Sequence, residues 1–507
     1  MIHAEFLLLL PILVPFITGI FAILSWHQRQ LQRLMSMLGS VTLLLVTILL
    51  FVEVYANGPQ VVQIGSWAAP FGITLYADLF SAIMLILAGL LGFTVGIYSL
   101  ENIGLERQKL GFYPLYHILL MGVCGSFLAG DIFNLYVWFE VMLISSFVLL
   151  ALGSERRQLE GAIKYVTLNL LASALFLAAA GISYGIAGSL NMADLAVRFQ
   201  LAPAGLVTTL AMLFLLAFGI KAALFPLFSW LPSAYHTPPT AVSAIFAGLL
   251  TKVGVYAIVR VFTLIFVQNQ TYTHAIILVL AGLTMVTGVL GAVSQNHYRR
   301  ILSIHITSQI GYMIMGLALF TPLALAGTVL YLIHNIVVKT NLFLISGLTE
   351  WVGGSYELKK LGGLYVRLPI LAALFLISAL SLAGLPPLSG FWAKFTLIRA
   401  GLEEQSYLIV LTALGVSLLT LYSMIKIWTQ AYWKQQPEEY VRPLPPNPRS
   451  SAWVLRFAPV VMLTICTIVI GLGAEFFFDV SMQAAQQLLD PGLYVETVLG
   501  TAVGVLP

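Results

Sequence analysis

The sequence predicts an all-α polytopic membrane protein with about fourteen transmembrane helices. Of its 507 residues, 60% are hydrophobic and only 9% are charged, whereas soluble proteins carry about 25% charged residues. The apolar residues fall into stretches of the length that crosses a bilayer as a helix, about 20 residues. No polar segment between these stretches is long enough to form a soluble domain. We therefore expect one helical bundle in lipid.

The predicted spans follow from length and hydropathy. They lie near residues 4–25, 34–55, 73–98, 112–129, 131–152, 161–187, 205–235, 240–266, 274–294, 300–320, 323–350, 368–400, 406–432 and 452–478. The seventh and twelfth spans are longer than one crossing requires and contain prolines. Because proline removes a backbone donor and breaks a helix, we expect broken helices there, at Pro226 and at Pro386 and Pro387.

Basic residues are distributed unequally between the two sides of the predicted bundle. Loops after odd-numbered spans hold fifteen of them: Arg29, Arg33, Arg107, Lys109, Arg156, Arg157, Lys164, Arg299, Arg300, Lys359, Lys360, Arg367, Lys434, Arg442 and Arg449. The opposite side holds three: Arg198, Arg260 and Arg399. Cytoplasmic loops are enriched in Lys and Arg. The pattern therefore predicts an even number of spans with both termini outside the cytoplasm.

Five charged residues lie deep inside apolar segments: Glu140, Lys221, Lys252, Lys339 and Lys394. A charge at the bilayer centre costs at least roughly 2.5–3.5 kcal/mol, so such residues mark ion or proton pathways. Glu140 follows Asp131, a predicted helix N-cap, by nine residues, which places it about 13 Å into the membrane. Lys252 also lies near mid-bilayer. A neutral carboxyl bonded between helices is the alternative for Glu140, and mere neutralisation of Glu140 is the alternative for Lys221.

Two of the lysines lie beside the predicted helix breaks. Lys221 precedes the first break and Lys394 follows the second. The fragments Phe225-Pro-Leu-Phe-Ser-Trp and Pro387-Leu-Ser-Gly-Phe-Trp are alike. Lipid tolerates broken backbone only where it faces protein or a water-filled cavity, and interrupted segments in corresponding places indicate a transporter site. The pattern predicts two inverted five-helix repeats, formed by spans 4–8 and 9–13.

The eleventh span contains both His334 and Lys339. Because imidazole titrates near neutral pH, a proton relay is one interpretation of His334, and a hydrogen-bonded packing group is the other. His305 and His236 are expected near polar boundaries of the bundle, outside the relay. Asp78 is either a cap at the start of the third span or a residue of ion uptake.

These predictions divide the chain into four parts: residues 1–110 with three spans, 111–270 with the first repeat, 271–433 with the second repeat, and 434–507 with a cytoplasmic loop, the fourteenth span and a tail. The loop Lys434–Ser450 contains four prolines and is expected to be extended. The tail after Phe478 is either an amphipathic segment at the membrane surface or disordered.

Several kinds of functional site have no counterpart in the sequence. It contains no Walker A pattern, dinucleotide-binding fingerprint, CxxC pair or histidine pair at haem spacing,. Cys124 and Cys466 lie in apolar stretches and are expected to be buried residues without redox chemistry,. We therefore expect no cofactor, no metal site, no catalytic residues and no nucleic-acid partner. No cluster of intramembrane carboxylates that would suit a dehydrated Na+ is present either.

Five segments together carry a resemblance to a known family: Asp131–Glu140, Lys221–Pro239, Gly248–Tyr256, His334–Gly347 and Leu382–Lys394. Through them the chain resembles the antiporter-like proton-translocating subunits shared by respiratory complex I and the multisubunit Mrp Na+/H+ antiporters. Within that family, Lys394, the chain length and the short end after the fourteenth span look most like the D-type subunits of Mrp antiporters.

The resemblance implies a role for each buried charge. Glu140 and Lys221 would form the ion pair of the first half-channel, Lys252 the bridge, His334 with Lys339 a relay, and Lys394 the site of the second half-channel. It also implies a transporter subunit, not an enzyme, that works with other membrane subunits in a bacterial or archaeal inner membrane. The complex would expel Na+ in exchange for protons.

Two alternatives remain open. The chain could be a proton-pumping subunit of a redox-driven complex, such as complex I or a membrane-bound hydrogenase. It could also be a structural subunit whose charges only fix helix packing, although neutral residues would then insert at lower cost.

Overall fold

The computed structural model describes residues 4–444 and 450–500, and regular structure in this part of the chain is nearly all helical. Twelve of the described helices are long and apolar enough to cross a membrane. Two further apolar helices, Phe112–Leu128 and Pro369–Ala383, are shorter. The predicted helical membrane bundle is confirmed, and the count of fourteen spans stays a prediction.

From residue 4 onward, the first half of the described chain forms twelve α-helices and two strands. They are α1 (Ala4–Leu24), α2 (Arg29–Asn57), β1 (Gln60–Ile64), β2 (Ile73–Ala77), α3 (Leu79–Asn102), α4 (Leu105–Lys109), α5 (Phe112–Leu128), α6 (Ile132–Ala151), α7 (Arg156–Ala187), α8 (Met192–Arg198), α9 (Ala204–Ala222), α10 (Trp230–Ala234), α11 (Thr240–Ile245) and α12 (Thr251–Leu264). A π-helical turn, Phe246–Leu250, joins α11 to α12.

The described residues of the second half form ten α-helices. They are α13 (Gln270–Val293), α14 (Tyr298–Leu319), α15 (Pro322–Gly353), α16 (Leu364–Arg367), α17 (Pro369–Ala383), α18 (Ser389–Glu403), α19 (Tyr407–Ile427), α20 (Ser451–Leu472), α21 (Ala474–Leu488) and α22 (Pro491–Leu499). A π-helical turn, Trp428–Trp433, extends α19. Nearly every residue of α15 is buried in protein, so this helix lies at the centre of the bundle.

A β-hairpin replaces the predicted start of the third span. β1 and β2 pair antiparallel, from Gln60 opposite Ala77 to Ile64 opposite Ile73. The predicted boundary of 73–98 is therefore wrong at its first residues, because Ile73–Ala77 has the β-branched and aromatic residues that favour a strand and α3 begins only after Asp78. We call the end of the bundle that carries β1 and β2 the hairpin end.

The tail after Phe478 forms helices α21 and α22 and packs onto the bundle. α21 buries Val480, Ala484 and Leu488, and the Gln487 side chain accepts a hydrogen bond from the backbone N–H of Leu79 at 2.9 Å. Over residues 479–500 the tail is thus an ordered part of the fold. In the predicted extended loop, residues 445–449 lie outside the described residues.

Both long proline-containing spans are interrupted in the structure. α9 ends before Pro226 and α17 ends before the Pro386–Pro387 pair. At the two ends the same bond forms, from the N–H of Leu224 to the carbonyl of Gly219 at 2.9 Å and from Leu385 to Leu380 at 3.1 Å. In each case the N–H donates to the carbonyl five residues earlier, which is one of the two hydrogen bonds of a Schellman motif. The shared pattern supports the predicted relation between the two breaks, while the two five-helix repeats stay a prediction.

Candidate functional site

Lys221 lies in the last turn of α9, just before the first break, and is 4% exposed. Its ammonium donates to the hydroxyl of Ser173 on α7 at 3.2 Å. It also lies 5.0 Å from the centre of the Phe139 ring on α6, a favourable position for a cation,. The groups in contact with this charge are therefore neutral.

Glu140 is near Lys221 but does not touch it. The ion pairs within 4.0 Å among the described residues do not include these two side chains, although Glu140 is close enough for its charge to act on Lys221. The two side chains are therefore not in contact in this structure, and the ion pair of the first half-channel stays a prediction. The reason for the missing contact is that Glu140 shares a face of α6 with the exposed residues Phe133, Val137 and Ile144,.

The backbone freed at the first break has protein partners. The indole of Trp230 donates to the carbonyl of Ile220 at 3.0 Å, and Thr284 accepts from the N–H of Phe225 at 3.0 Å. These bonds make the interruption tolerable inside a membrane.

A small cavity adjoins Lys221. It has a volume of about 10 Å³, and its lining includes Lys221, Tyr165, Asn169, Tyr235 and Leu250. This is close to the smallest space that holds one water molecule. The cavity thus reaches from Lys221 to Leu250, the last residue of the π-helical turn that precedes Lys252.

Lys252 is completely buried in the first turn of α12. Its ammonium donates to the carbonyl of Ala247 at 2.5 Å, within the π-helical turn Phe246–Leu250. Such turns are frequent at functional sites. Gly254 lets α12 approach α9 closely, because a Cβ there would lie 2.7 Å from the backbone nitrogen of Ala222. The helices that carry Lys221 and Lys252 are therefore in direct contact.

His334 and Lys339 are both completely buried in α15. Lys339 donates to the carbonyl of Leu302 on α14 at 3.4 Å. Nδ1 of His334 lies 2.8 Å from the hydroxyl of Ser389, the first residue of α18, and its Nε2 has no partner among the described residues. The charge of Lys339 lies within electrostatic reach of both Lys252 and Lys394.

Lys394 follows the second break and is 4% exposed. Its ammonium donates to the carbonyls of Leu382 at 3.1 Å and Ala383 at 3.0 Å, and to the hydroxyl of Ser417 at 3.0 Å. The ring of Tyr312 lies 5.1 Å away. The two carbonyls end α17, where the helix dipole favours a positive charge.

His305 lies elsewhere than its sequence context predicts. It is completely buried in α14, not at a polar boundary, and neither ring nitrogen has a hydrogen-bond partner in the described part of the chain. It lies within electrostatic reach of Lys339 and Lys394. Its sequence context, His305-Ile-Thr-Ser-Gln309, places two polar groups one turn apart inside an apolar span, which is a signal that could have identified it.

The groups between Lys252 and Lys394 form what we call the polar corridor. It consists of Lys252, His305, Gln309, His334, Asn335, Lys339 and Lys394. Within the described residues, His305, Gln309, His334 and Asn335 each have at least one buried side-chain nitrogen or oxygen without a partner. Because each unpaired polar group costs about 1–3 kcal/mol, the corridor is suited to hold water.

Asp78 and Arg260 form a buried ion pair at the hairpin end. Asp78 caps α3 by accepting from the N–H of Ser81 at 2.9 Å, which resolves the two alternatives for Asp78 in favour of a cap. Arg260 lies within α12, which continues to Leu264. The guanidinium binds both carboxylate oxygens of Asp78, at 2.6 and 2.8 Å.

Comparisons with known proteins agree with this architecture. Residues 129–420 match the sequence profile of the family described as NADH:quinone oxidoreductase/Mrp antiporter, TM. The chain is 50% identical to the D-type subunit of the Na+/H+ antiporter of Alkalihalophilus pseudofirmus over 97% of this chain and 99% of that protein. It is 39% identical to the D-type Na+/H+ antiporter subunit of Bacillus subtilis, with the same coverage.

Solved structures give a similar result. A chain of the Mrp complex from Dietzia sp. superposes with a TM-score of 0.91 at 32% identity, covering 99% of this chain and all of that one. A chain of an archaeal membrane-bound sulfane sulfur reductase superposes with a TM-score of 0.90 at 26% identity, over 98% of this chain and all of that one. A chain of complex I from Thermus thermophilus shares the fold, with a TM-score of 0.80 at 24% identity, over 95% and 99%. The chain therefore belongs to the transmembrane family of NADH:quinone oxidoreductase and Mrp antiporter subunits.

Proposed function

We propose that this chain is the proton-translocating subunit of a multisubunit Na+/H+ antiporter driven by the proton-motive force. The observation that carries the proposal is the series of buried basic side chains that comprises Lys221 and the polar corridor from Lys252 to Lys394. Four ammonium groups in this series, those of Lys221, Lys252, Lys339 and Lys394, bind hydroxyl or carbonyl oxygens and no carboxylate. The match over nearly the full length of proteins named as D-type Na+/H+ antiporter subunits supports the same function.

The chemistry of these contacts suits proton storage. A buried ammonium that lacks a carboxylate partner keeps much of its desolvation penalty. It can therefore release its proton when the charge of a neighbour changes, since screening is weak inside the bundle. Lys339, within electrostatic reach of Lys252 and Lys394, is placed to pass such changes along the series.

The proposed route begins with a proton that loads Lys221 or Lys252. Water in the polar corridor then carries it past His334 and Lys339 to Lys394. Changes in the separation of Glu140 and Lys221 gate the first step. In this structure the Lys221 ammonium donates to Ser173 on α7.

The hairpin end is proposed to face outside the cytoplasm of a bacterial or archaeal cell, with both termini on that side. The unequal distribution of Lys and Arg supports this orientation.

A second candidate is a subunit of a redox-driven complex. The high TM-score with a chain of the sulfane sulfur reductase favours it, because the same fold occurs in a respiratory complex. Under this alternative the proton route would be the same, and electron transfer in partner subunits would supply the driving force.

Partner subunits and transport together test the proposal. We would purify the complex gently from its native membrane, identify the chains that co-purify by mass spectrometry, and measure proton flux driven by a Na+ gradient in vesicles. Small hydrophobic subunits and Na+-driven flux are expected. Iron–sulfur or flavin proteins without Na+-driven flux would replace the antiporter by the redox-driven candidate.

A further inference from the structure

One face of α12 leads from the middle of the bundle to the hairpin end. Lys252, Tyr256 and Arg260 follow each other at intervals of four residues and are all buried, so their side chains lie on one face. Eight residues at 1.5 Å each separate Lys252 from Arg260 by about 12 Å along the axis. The route proposed above uses neither Tyr256 nor Arg260.

A closed hydrogen-bond network occupies this face beyond Lys252. Besides its two bonds to Asp78, the guanidinium of Arg260 donates to the hydroxyls of Ser81 and Tyr256, each at 3.2 Å. The oxygen atoms of Ser81 and Tyr256 are 2.8 Å apart. Tyr256 donates its own hydrogen to the carbonyl of Phe127 at 2.8 Å.

The hydrogen bonds of this network end on the Asp78 carboxylate and on the carbonyl of Phe127, and none of them reaches Lys252. Tyr256 has one hydroxyl hydrogen, and the carbonyl of Phe127 takes it. The Tyr256 oxygen therefore accepts from Ser81 and from Arg260. Because the network ends on a backbone carbonyl, which does not pass a proton on, it is closed in this arrangement.

Aromatic side chains cover the ion pair. The guanidinium carbon of Arg260 lies 5.4 to 5.9 Å from the ring centres of Tyr76, Phe80, Tyr256 and Tyr494. Tyr76 belongs to β2 and Tyr494 to α22, and their rings are 4.0 Å apart. The hairpin and the C-terminal tail thus close the end of the path that starts at Lys252.

We propose that the Asp78–Arg260 pair is a gate on the hairpin side of Lys252. While the pair is intact, it holds the hydroxyls of Ser81 and Tyr256 in the closed network. Separation of Arg260 from Asp78 frees Tyr256 to bind water and to connect Lys252 with that side of the membrane. Asp78 and Arg260 are positioning residues in this scheme. The gate rests on the proposed function, because it requires Lys252 to carry a proton.

Proton leak through the whole complex in vesicles tests the gate. Asp78→Asn keeps the size of the side chain and a cap acceptor but removes the charge that holds Arg260. We expect Na+-independent proton flux under an imposed proton gradient to rise roughly tenfold, because loss of one partner strongly favours separation of a buried pair. Adding Lys252→Met should return the leak to the wild-type level. If the Asp78–Arg260 pair only stabilised the fold, Asp78→Asn would instead lower the amount of assembled complex and would produce no leak that depends on Lys252.

Asp194→Asn provides the matched control. Asp194 pairs with Arg198 at 2.8 Å in α8, which lies at the same end of the bundle, and takes no part in the network. We expect no leak from this variant. A leak equal to that of Asp78→Asn would overturn the gate, because any weakened ion pair at this end would then have the same effect.

Tyr256→Phe gives a second test that leaves the ion pair charged. It removes the one hydroxyl between Arg260 and Lys252 on this face, so Na+-coupled proton flux should fall roughly tenfold, the scale of one lost hydrogen bond, without a leak. Wild-type coupled flux in this variant overturns the gate, as does a wild-type leak in an assembled Asp78→Asn complex. If the wild-type complex itself shows no Na+-coupled proton flux, the proposed function fails instead.

Discussion

The ammonium of Lys394 lies 3.0 Å from the carbonyl oxygen of Ala383, so the lysine that follows the second break binds the end of the helix that precedes it. Lys221 at the first break differs. It donates to Ser173 on another helix. The carbonyl of Ile220, near the end of the helix that carries Lys221, accepts instead from the indole of Trp230. The two lysines therefore occupy related places in the fold, but only Lys394 donates to carbonyls at the helix end beside its own break.

This difference predicts unequal effects on stability. Lys394→Met leaves the carbonyl of Leu382 without its donor, while Ala383 keeps the hydroxyl of Ser417 at 2.8 Å. One unsatisfied buried carbonyl costs about 1–3 kcal/mol. We expect thermal unfolding of the purified complex to show a larger loss for Lys394→Met than for Lys221→Met. Lys394→Gln, which retains a donor, should recover part of the loss, and equal unfolding temperatures for all three variants would contradict the assignment.

Gly390 makes room for His334. A Cβ at this position would lie 2.8 Å from Cε1 and Nε2 of the imidazole and would clash with the carbonyl of Ser381. Gly390→Ala should therefore destabilise the protein by about 1–3 kcal/mol and reduce transport by displacing the imidazole. Gly415→Ala in α19 is the control, because a Cβ there meets no atom. A helical alanine should stabilise this exposed position by roughly 0.5–1 kcal/mol. The opposite order of stabilities would show that Gly390 is not needed for space.

His305 is expected to take part in proton transfer through the polar corridor. His305→Gln should lower Na+-coupled proton flux roughly tenfold or more, the scale on which a positioned proton carrier acts. His274 is also buried but lies in α13 beside Phe320, and His274→Gln should leave the flux unchanged. Equal flux in the His305 variant and the wild type, with normal assembly, would remove His305 from the route.

Asp131 predicts a pH dependence of stability. It caps α6 by accepting from the N–H of Asn134 at 2.8 Å. Burial raises the pKa of Asp131 to about 6, although backbone hydrogen bonds from Asn134 and Phe133 lower it. Because the pKa in the folded state exceeds the unfolded value, the folded state binds the proton more tightly. Below pH about 4 the Asp131 carboxyl does not lower the free energy of unfolding, because it is protonated in both states. As the pH rises from about 4 to about 6, the carboxyl ionises in the unfolded state first, and the free energy of unfolding falls,.

The change that tests this is Asp131→Asn, which keeps the cap oxygen and cannot ionise. We expect the variant to unfold at a higher temperature than the wild type above pH about 6 and to approach it near pH 4. Asp490→Asn changes the exposed cap of α22 in the same way and should not alter the pH profile. A constant difference between Asp131→Asn and the wild type at every pH would contradict the prediction.

The sequence was sufficient for features that each depend on one segment. Long apolar stretches indicated the bundle, prolines indicated the breaks before Pro226 and Pro386, and Asp131 was identified as a helix cap. Buried charges such as Lys252 were visible because an apolar context makes a lysine costly.

Features that depend on packing between distant segments were not predictable in the same way. The face on which Glu140 lies depends on the neighbours of α6, and the partner of Asp78 is 182 residues away. The strand Ile73–Ala77 was hidden because a short apolar run fits a strand and a helix equally well. His305 was misplaced because burial in protein cannot be deduced from distance to the end of a span.

In the proposed function, protons pass through the buried lysines. Na+-driven proton flux in vesicles containing the whole complex measures this directly for Lys221→Met and Lys394→Met, with Lys360→Met as the control, because Lys360 forms a solvent-exposed pair with Glu357. We predict that each buried-lysine variant assembles and gives no more flux than vesicles without the complex, while the control retains wild-type flux. Wild-type flux from both buried-lysine variants, with normal assembly, would contradict the claim.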